Sequence, residues 1–235
     1  MFAIDTGASA SGSKGPWVSF KPKGSAKHGF GYKTWTMREK TDTGSQITKF
    51  DAMEQHGVVL DIYALNGELC GSLKLGWCKS DGQTGTAPER RWWQTPLRAE
   101  PRPDESKTAQ GGFVWRNSMS VRVAVSQTTA VTWEDEGWGV YSGFSELVKM
   151  LNEQFAANIG KCPMVRCIGY AETGKGSGLT FVPQFEIVKW VERPAILKED
   201  APAIAADPAP AAAPAAQPTQ AAQPAAAPVP EDAPF

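Results

Sequence analysis

Cations and flat aromatic rings alternate at short spacing through the first half of this chain. Trp17, Phe20, Lys21, Lys23, Lys27, Phe30, Tyr32, Lys33, Trp35 and Arg38 fall within one stretch. Lys74, Trp77 and Lys79 follow, then Arg90-Arg91-Trp92-Trp93 with Arg98, then Trp115-Arg116 and Arg122. Lysine and arginine attract a polyanion, and an exposed ring stacks on another flat ring. Phosphate contacts along a positive groove and ring stacking, at about 1–3 kcal/mol per base, are what holding a nucleic-acid strand without reading its sequence requires. The Arg-Arg-Trp-Trp cluster is the most informative. Two adjacent Trp in a polar, Pro-rich segment are hard to bury together, so at least one is expected exposed. The competing reading is that large aromatics pack in cores and scattered lysines are solvated. Trp133, Trp138 and Trp190 are read that way, as core or edge residues. The chemistry therefore rests on the density of interleaving, not on any one residue.

Other chemistries find little support. His28 and His56 are the only histidines, and neither has a partner motif. Cys70, Cys78, Cys162 and Cys167 could in principle hold zinc, but close Cys-x₂₋₄-Cys spacing occurs only once. They are read as buried reduced thiols. Gly174-Lys175-Gly176-Ser177-Gly178 lacks the spacing of a phosphate loop and reads as a hairpin turn. Glu134-Asp135-Glu136 reads as an exposed acidic turn. No catalytic residue and no cofactor are expected.

The elements that must position the rings are mostly strands. Alternation of apolar and polar residues marks 17–21 and 30–38, with Thr34 and Thr36 on one side and Trp35 and Met37 on the other. Runs at 58–65 and 69–77 flank Asn66-Gly67, a type I′ hairpin signal because both residues tolerate positive φ. The segment 79–112 has Pro88, Pro96, Pro101 and Pro103 and reads as a long loop, with room for local strand near Trp92-Trp93. Strands are expected at 113–125, 164–170 and 179–191, with a further hairpin at 131–141. One helix is expected over 144–158, where Phe144, Leu147, Val148, Leu151 and Phe155 share a face, with Ser142 or Ser145 as cap. The fold class is mainly β: a Greek-key barrel or sandwich with one helix, over residues 16–198, after a loose lead-in at 1–15.

The charge divides unevenly. The chain has 24 Lys+Arg and 25 Asp+Glu for a net −1. No base lies beyond Lys198, whereas Glu199, Asp200, Asp207, Glu231 and Asp232 do, so the body holds 24 − 20 = +4 and the tail −5. Ala and Pro supply 25 of the tail's 37 residues, a composition that favours an extended, solvated chain over 199–235. The tail closes on Glu231-Asp232-Ala233-Pro234-Phe235. A ring for an apolar pocket, a carboxylate for Arg or Lys, and a Pro that restricts the free chain make this a docking unit for another protein. No apolar run is long enough to span a membrane, and no secretory signal opens the chain, so a cytoplasmic location is expected.

That tip resembles the C-terminal end of bacterial single-stranded DNA-binding proteins, Asp-Asp-Ile-Pro-Phe, with Glu231 for one Asp and Ala233 for Ile. The body is more similar to single-stranded DNA-binding proteins of tailed bacteriophages, through Gly57-Val58-Val59-Leu60-Asp61, Leu75-Gly76-Trp77 with Ala87-Pro88-Glu89, and Val188-Lys189-Trp190-Val191. The resemblance implies an oligonucleotide-binding (OB-fold) barrel, single-stranded DNA as ligand, work in replication, recombination or repair, and replication or repair proteins as partners of the tip. The alternatives are a Trp-rich carbohydrate-binding module, opposed by the basic body, and a virion adaptor protein.

Overall fold

The structure, a computed structural model, describes residues 16–24, 26–79, 88–93, 100–109, 111–174 and 179–198. All belong to one unit, Met1–Ala201. Arg98, the lead-in 1–15, most of the Gly-rich turn and the tail with its tip lie outside the described residues.

The architecture is mainly β. The strands are β1 Trp17–Lys21, β2 Thr34–Thr41, β3 Gly44–Lys49, β4 Val58–Leu60, β5 Ile62–Leu65, β6 Glu68–Gly71, β7 Lys74–Lys79, β8 Glu89–Trp92, β9 Trp115–Ala124, β10 Ala130–Glu136, β11 Lys161–Thr173 and β12 Thr180–Glu192. Ten of them form one mixed sheet in the order β12-β11-β4-β9-β10-β1-β2-β3, with β7 on β9 and β8 on β7. β5 and β6 form a separate hairpin. β9 pairs with β10 along one edge, and its other edge is shared. Its first half (115–120) takes β7, and Val123 and Ala124 take β4. β1 and β10 are parallel, while the other pairings are antiparallel.

Among the described residues no pairing closes this sheet into a barrel, because β3 and β12 remain its two ends. It is nevertheless strongly curled. Phe20 of β1 stacks on Tyr170 of β11 at 5.1 Å, and Trp35 of β2 meets Phe185 of β12 at 6.2 Å. Trp133 lies at the centre, edge-on to Trp35 at 5.2 Å and to Phe144 at 5.5 Å.

Several sequence expectations hold, and others shift for identifiable reasons. Asn66 (φ 53) and Gly67 (φ 81) make the turn between β5 and β6, both left-handed as a type I′ turn needs. The run 58–65 breaks at Asp61 and the run 69–77 at Ser72. There Gly71 (φ 109) brings its backbone so close that a Cβ would lie 2.1 Å from the Asp61 carbonyl oxygen. Among the described residues three α-helices replace the single one: α1 Ala52–Gln55, α2 Trp138–Gln154 and α3 Ala195–Lys198. α2 buries the expected face, Phe144, Leu147 and Leu151, but starts earlier, at Trp138, and also buries Val140. Gly139 and Gly143 hid that first turn, since glycine is a poor helix former by about 1 kcal/mol. They are there for proximity: a Cβ on Gly143 would lie 2.3 Å from the Pro183 carbonyl oxygen of β12. Ser145 does not cap; its hydroxyl donates to the Tyr141 carbonyl at 2.8 Å. No helix among the described residues is long and apolar enough to cross a membrane.

Candidate nucleic-acid interface

Strand register sorts the interleaved residues onto two sides. Directly paired residues of neighbouring strands point the same way, and each strand alternates. Following the pairs Ile47↔Arg38↔Trp17↔Thr132↔Arg122 across β3, β2, β1, β10 and β9 defines one continuous outer row. The same parity carries Lys49, Lys40 and Lys21 onto this outer face at one side, and Arg116, Lys74, Arg90 and Trp92 at the other. Seven strands at about 4.8 Å spacing make this face about 29 Å across, measured along the sheet.

Of the residues singled out in the sequence, Lys21, Arg38, Lys74, Arg90, Trp92, Arg116 and Arg122 meet here. Trp17, from the same interleaved stretch, joins them, together with Lys40 and Lys49, which the sequence pattern does not mark. Trp17 and Trp92 are half-buried, and Lys21, Arg38, Lys40 and Lys74 are exposed. Lys40 Nζ lies 5.7 Å from the centre of the Trp17 ring. The carboxylates that the strands bring to this face are Glu134 and Glu136, and both are matched. Arg90 pairs with Glu134, and Arg116 with Glu136 at 3.0 Å. Lys49 pairs with Asp51 at 2.6 Å. Arg122 turns its guanidinium to the carbonyl oxygens of Ile196 (3.2 Å) and Leu197 (3.5 Å), holding the end of α3. No described acid forms an ion pair with Lys21, Arg38 or Lys40. The β1–β2 part of the face, with Lys21, Arg38 and Lys40, is therefore the uncompensated part, while Lys49 of β3 and the β8–β9 part are matched by acids.

The other parity points inward. Trp35, Trp77, Trp93 and Trp115 are all less than 10% exposed and belong to the core. Three of their indole N–H groups are used inside: Trp35 donates to the Tyr170 hydroxyl at 2.9 Å, Trp77 to the Glu100 carbonyl at 3.2 Å, and Trp115 to Asp104 Oδ2 at 3.0 Å. Trp93 Nε1 has no partner among the described residues. Cations cover the rim of this cluster. Arg91 lies 4.7 Å and Lys79 5.8 Å from the Trp115 ring, and Arg102 5.3 Å from the Trp77 ring. Part of the interleaving in the sequence is thus cation–π packing within the domain. Of the pair Trp92-Trp93, the first is half-buried and the second buried, so neither stands fully in solvent as the sequence led one to expect.

The remaining residues sit at the end of the sheet where β1 finishes. Tyr32 is 71% exposed, and its ring meets Phe181 edge-on at 6.5 Å. Lys33, in a left-handed conformation (φ 59), places Nζ 4.5 Å from the Phe181 ring and 3.8 Å from Glu172. Lys23 is exposed in the same loop.

Two expectations about this region change. Glu134-Asp135-Glu136 is not a turn but the end of β10, and Asp135 points into the core. Its Oδ2 accepts from the Phe20 amide at 2.8 Å and from Trp133 Nε1 at 2.9 Å. Burial pushes its carboxyl up to about 7, against the pull of those two donors. Trp138, read as core or edge, is 58% exposed. Cys78, Cys162 and Cys167 are buried, and burial drives the first two thiols up to about 12, far from the thiolate a metal or reaction needs.

No protein-family model, no curated protein and no solved structure matches this chain.

Proposed function

We propose that this is a single-stranded DNA-binding protein without sequence preference, of the kind bacteriophages use in replication, recombination or repair. One observation carries the reading. The outer face of the sheet gathers Lys21, Arg38 and Lys40 around Trp17 and Lys74 near Trp92, and its strand carboxylates are already paired. Such a face can follow a flexible polyanion through its phosphates while a base rests on a ring. Hydroxyls of Ser19 and Ser120 stand between the cations and add neutral donors. In this reading the curled, open sheet is an oligonucleotide-binding barrel left unclosed, the protein works in the cytoplasm of a host cell, and it is not an enzyme. The tip Glu231-Asp232-Ala233-Pro234-Phe235 recruits replication or repair proteins.

Titration of intrinsic tryptophan fluorescence with oligo-dT tests this. Quenching that saturates, and weakens linearly on a log–log plot as salt rises, is the expected result. No quenching at low salt, or quenching by soluble glycans alone, overturns it.

A further inference from the structure

The parallel pairing of β1 with β10 has a topological consequence. Trp17↔Thr132 and Val18↔Trp133 align the two strands in the same direction, so both finish at the same end of the sheet. β1 finishes at Lys21 and leads into the loop carrying Tyr32 and Lys33. β10 finishes at Glu136 and leads through Gly137 into Trp138. The Gly137 amide donates to the Asn117 carbonyl of β9 at 2.8 Å, which fixes this junction on the sheet. β12 begins at the same place: a Cβ on Gly139 would lie 3.0 Å from the Phe181 carbonyl oxygen, while the Phe181 ring touches Tyr32.

Tyr32 and Trp138, at 71% and 58%, are the two most exposed of the described Phe, Tyr and Trp side chains. They therefore stand on one rim, linked through Phe181, whose carbonyl lies against Gly139 and whose ring meets Tyr32. No described residue stacks on the Trp138 indole or accepts from its Nε1. Tyr32 meets Phe181 at 66° between ring planes and is still 71% exposed, so most of the phenol ring is open to solvent. Exposing two large rings costs apolar surface to water and gives the fold nothing in return. The cations at the rim are Lys21 and Lys33; on the neighbouring strands Arg116 is matched by Glu136 and Lys79 lies against the Trp115 ring.

We propose that this rim is a second stacking site for single-stranded DNA. Tyr32 and Trp138 each take a base of a strand that leaves the outer face past Lys21. The inference rests on the single-strand reading above and adds to it a path and two named platforms. Positive charge favours a strand over an apolar protein segment as occupant, since Lys21 has no described acid in ion-pair contact and Lys33 reaches Glu172 only at 3.8 Å.

The test compares Trp138→Ala, Trp138→Phe, Trp138→Leu and Tyr32→Ala with Trp17→Ala in the full chain. A long oligo-dT and one too short to leave the outer face serve as probes, with thermal melting as a check on folding. Trp138→Ala and Tyr32→Ala are each expected to weaken long oligo-dT by about fivefold or more, the lower end for one lost stacked base. They leave the short oligonucleotide and the salt slope unchanged. Trp138→Phe retains most of the affinity and Trp138→Leu does not, because leucine has no flat face. Photocrosslinking of long oligo-dT carrying 5-iodouracil is expected to label the peptide containing Trp138. If Trp17→Ala weakens binding while both rim variants bind long oligo-dT like the parent, the rim is not part of the path and the inference fails alone; a protein-docking role for Trp138 would give that result. If the parent binds no oligo-dT, the single-strand reading itself fails.

Discussion

The Asp135 carboxyl stands in for a missing strand partner: its Oδ2 lies 2.8 Å from the Phe20 amide nitrogen. The backbone register of β1 with β10 ends at Val18↔Trp133. Beyond it, the side chain of Asp135 continues the attachment that holds the basic β1–β3 wing to the rest of the sheet. It does so from a buried position, next to the Trp133 indole.

This placement makes stability depend on pH in a defined direction. The folded state keeps Asp135 protonated up to about 7, whereas the unfolded chain releases the proton in the ordinary carboxylate range. Between those limits the native state binds more protons, so this group's contribution is full at the acid end and is lost as pH rises through about 7. Asp135→Asn keeps an oxygen acceptor for both donors and cannot ionise. Urea melts at pH 5 and pH 8 are expected to show that this substitution flattens the difference attributable to the group, by a few kcal/mol at most. Equal pH dependence in the parent and in the Asp135→Asn chain would contradict the assignment.

Asp61 and Arg193 form an interior ion pair. Arg193 Nε donates to Asp61 Oδ1 at 2.7 Å and its Nη2 to the Leu197 carbonyl at 2.8 Å, with the Asp61 side chain 2% exposed. Removing one partner strands a buried charge, so Arg193→Ala is expected to cost about 3–5 kcal/mol. Asp61→Ala/Arg193→Ala together should cost less than the sum of the single changes. A double-mutant cycle read by urea unfolding checks this.

On the outer face, the ion pairs predict unequal arginines and lysines. Arg38→Ala and Lys40→Ala remove cations that no described acid matches, and each is expected to lower the salt slope of oligo-dT binding by about one. Arg90→Ala frees Glu134 and should weaken binding through repulsion, an effect that Glu134→Gln in the same chain reverses. Identical behaviour of Arg38→Ala and Arg90→Ala, with no rescue by Glu134→Gln, would show that the pairing is irrelevant in solution.

Gly143→Ala tests the helix contact. The added Cβ has 2.3 Å to the Pro183 oxygen, so α2 must move off β12. The expected loss is about 1–3 kcal/mol, measured by thermal melting, despite alanine's better helix propensity.

Deleting 199–235 removes five acids and no base. Affinity for oligo-dT is expected to rise or stay the same, since the tail's −5 opposes the body's +4. A clear loss of affinity in the truncated chain would rule out electrostatic competition by the tail.

The sequence by itself determined the strand-rich class, the Asn66-Gly67 turn, the apolar face of α2 and the split of charge between body and tail. Each depends on local spacing or on counting, and local conformation follows from both. It also showed that Trp35 and Met37 oppose Thr34 and Thr36, and that Val121 and Val123 oppose Arg122. What it did not contain is which of two sides faces the core. That is decided by register between strands distant in the chain, and a step of one residue turns Trp35 inward and Arg38 outward. The same long-range pairing neutralised Arg90 and Arg116 with glutamates that had looked like a free acidic turn. It also buried Asp135 beside Phe20. Trp138 reached the surface because a helix begun on two glycines could press against β12, a contact no local pattern announces.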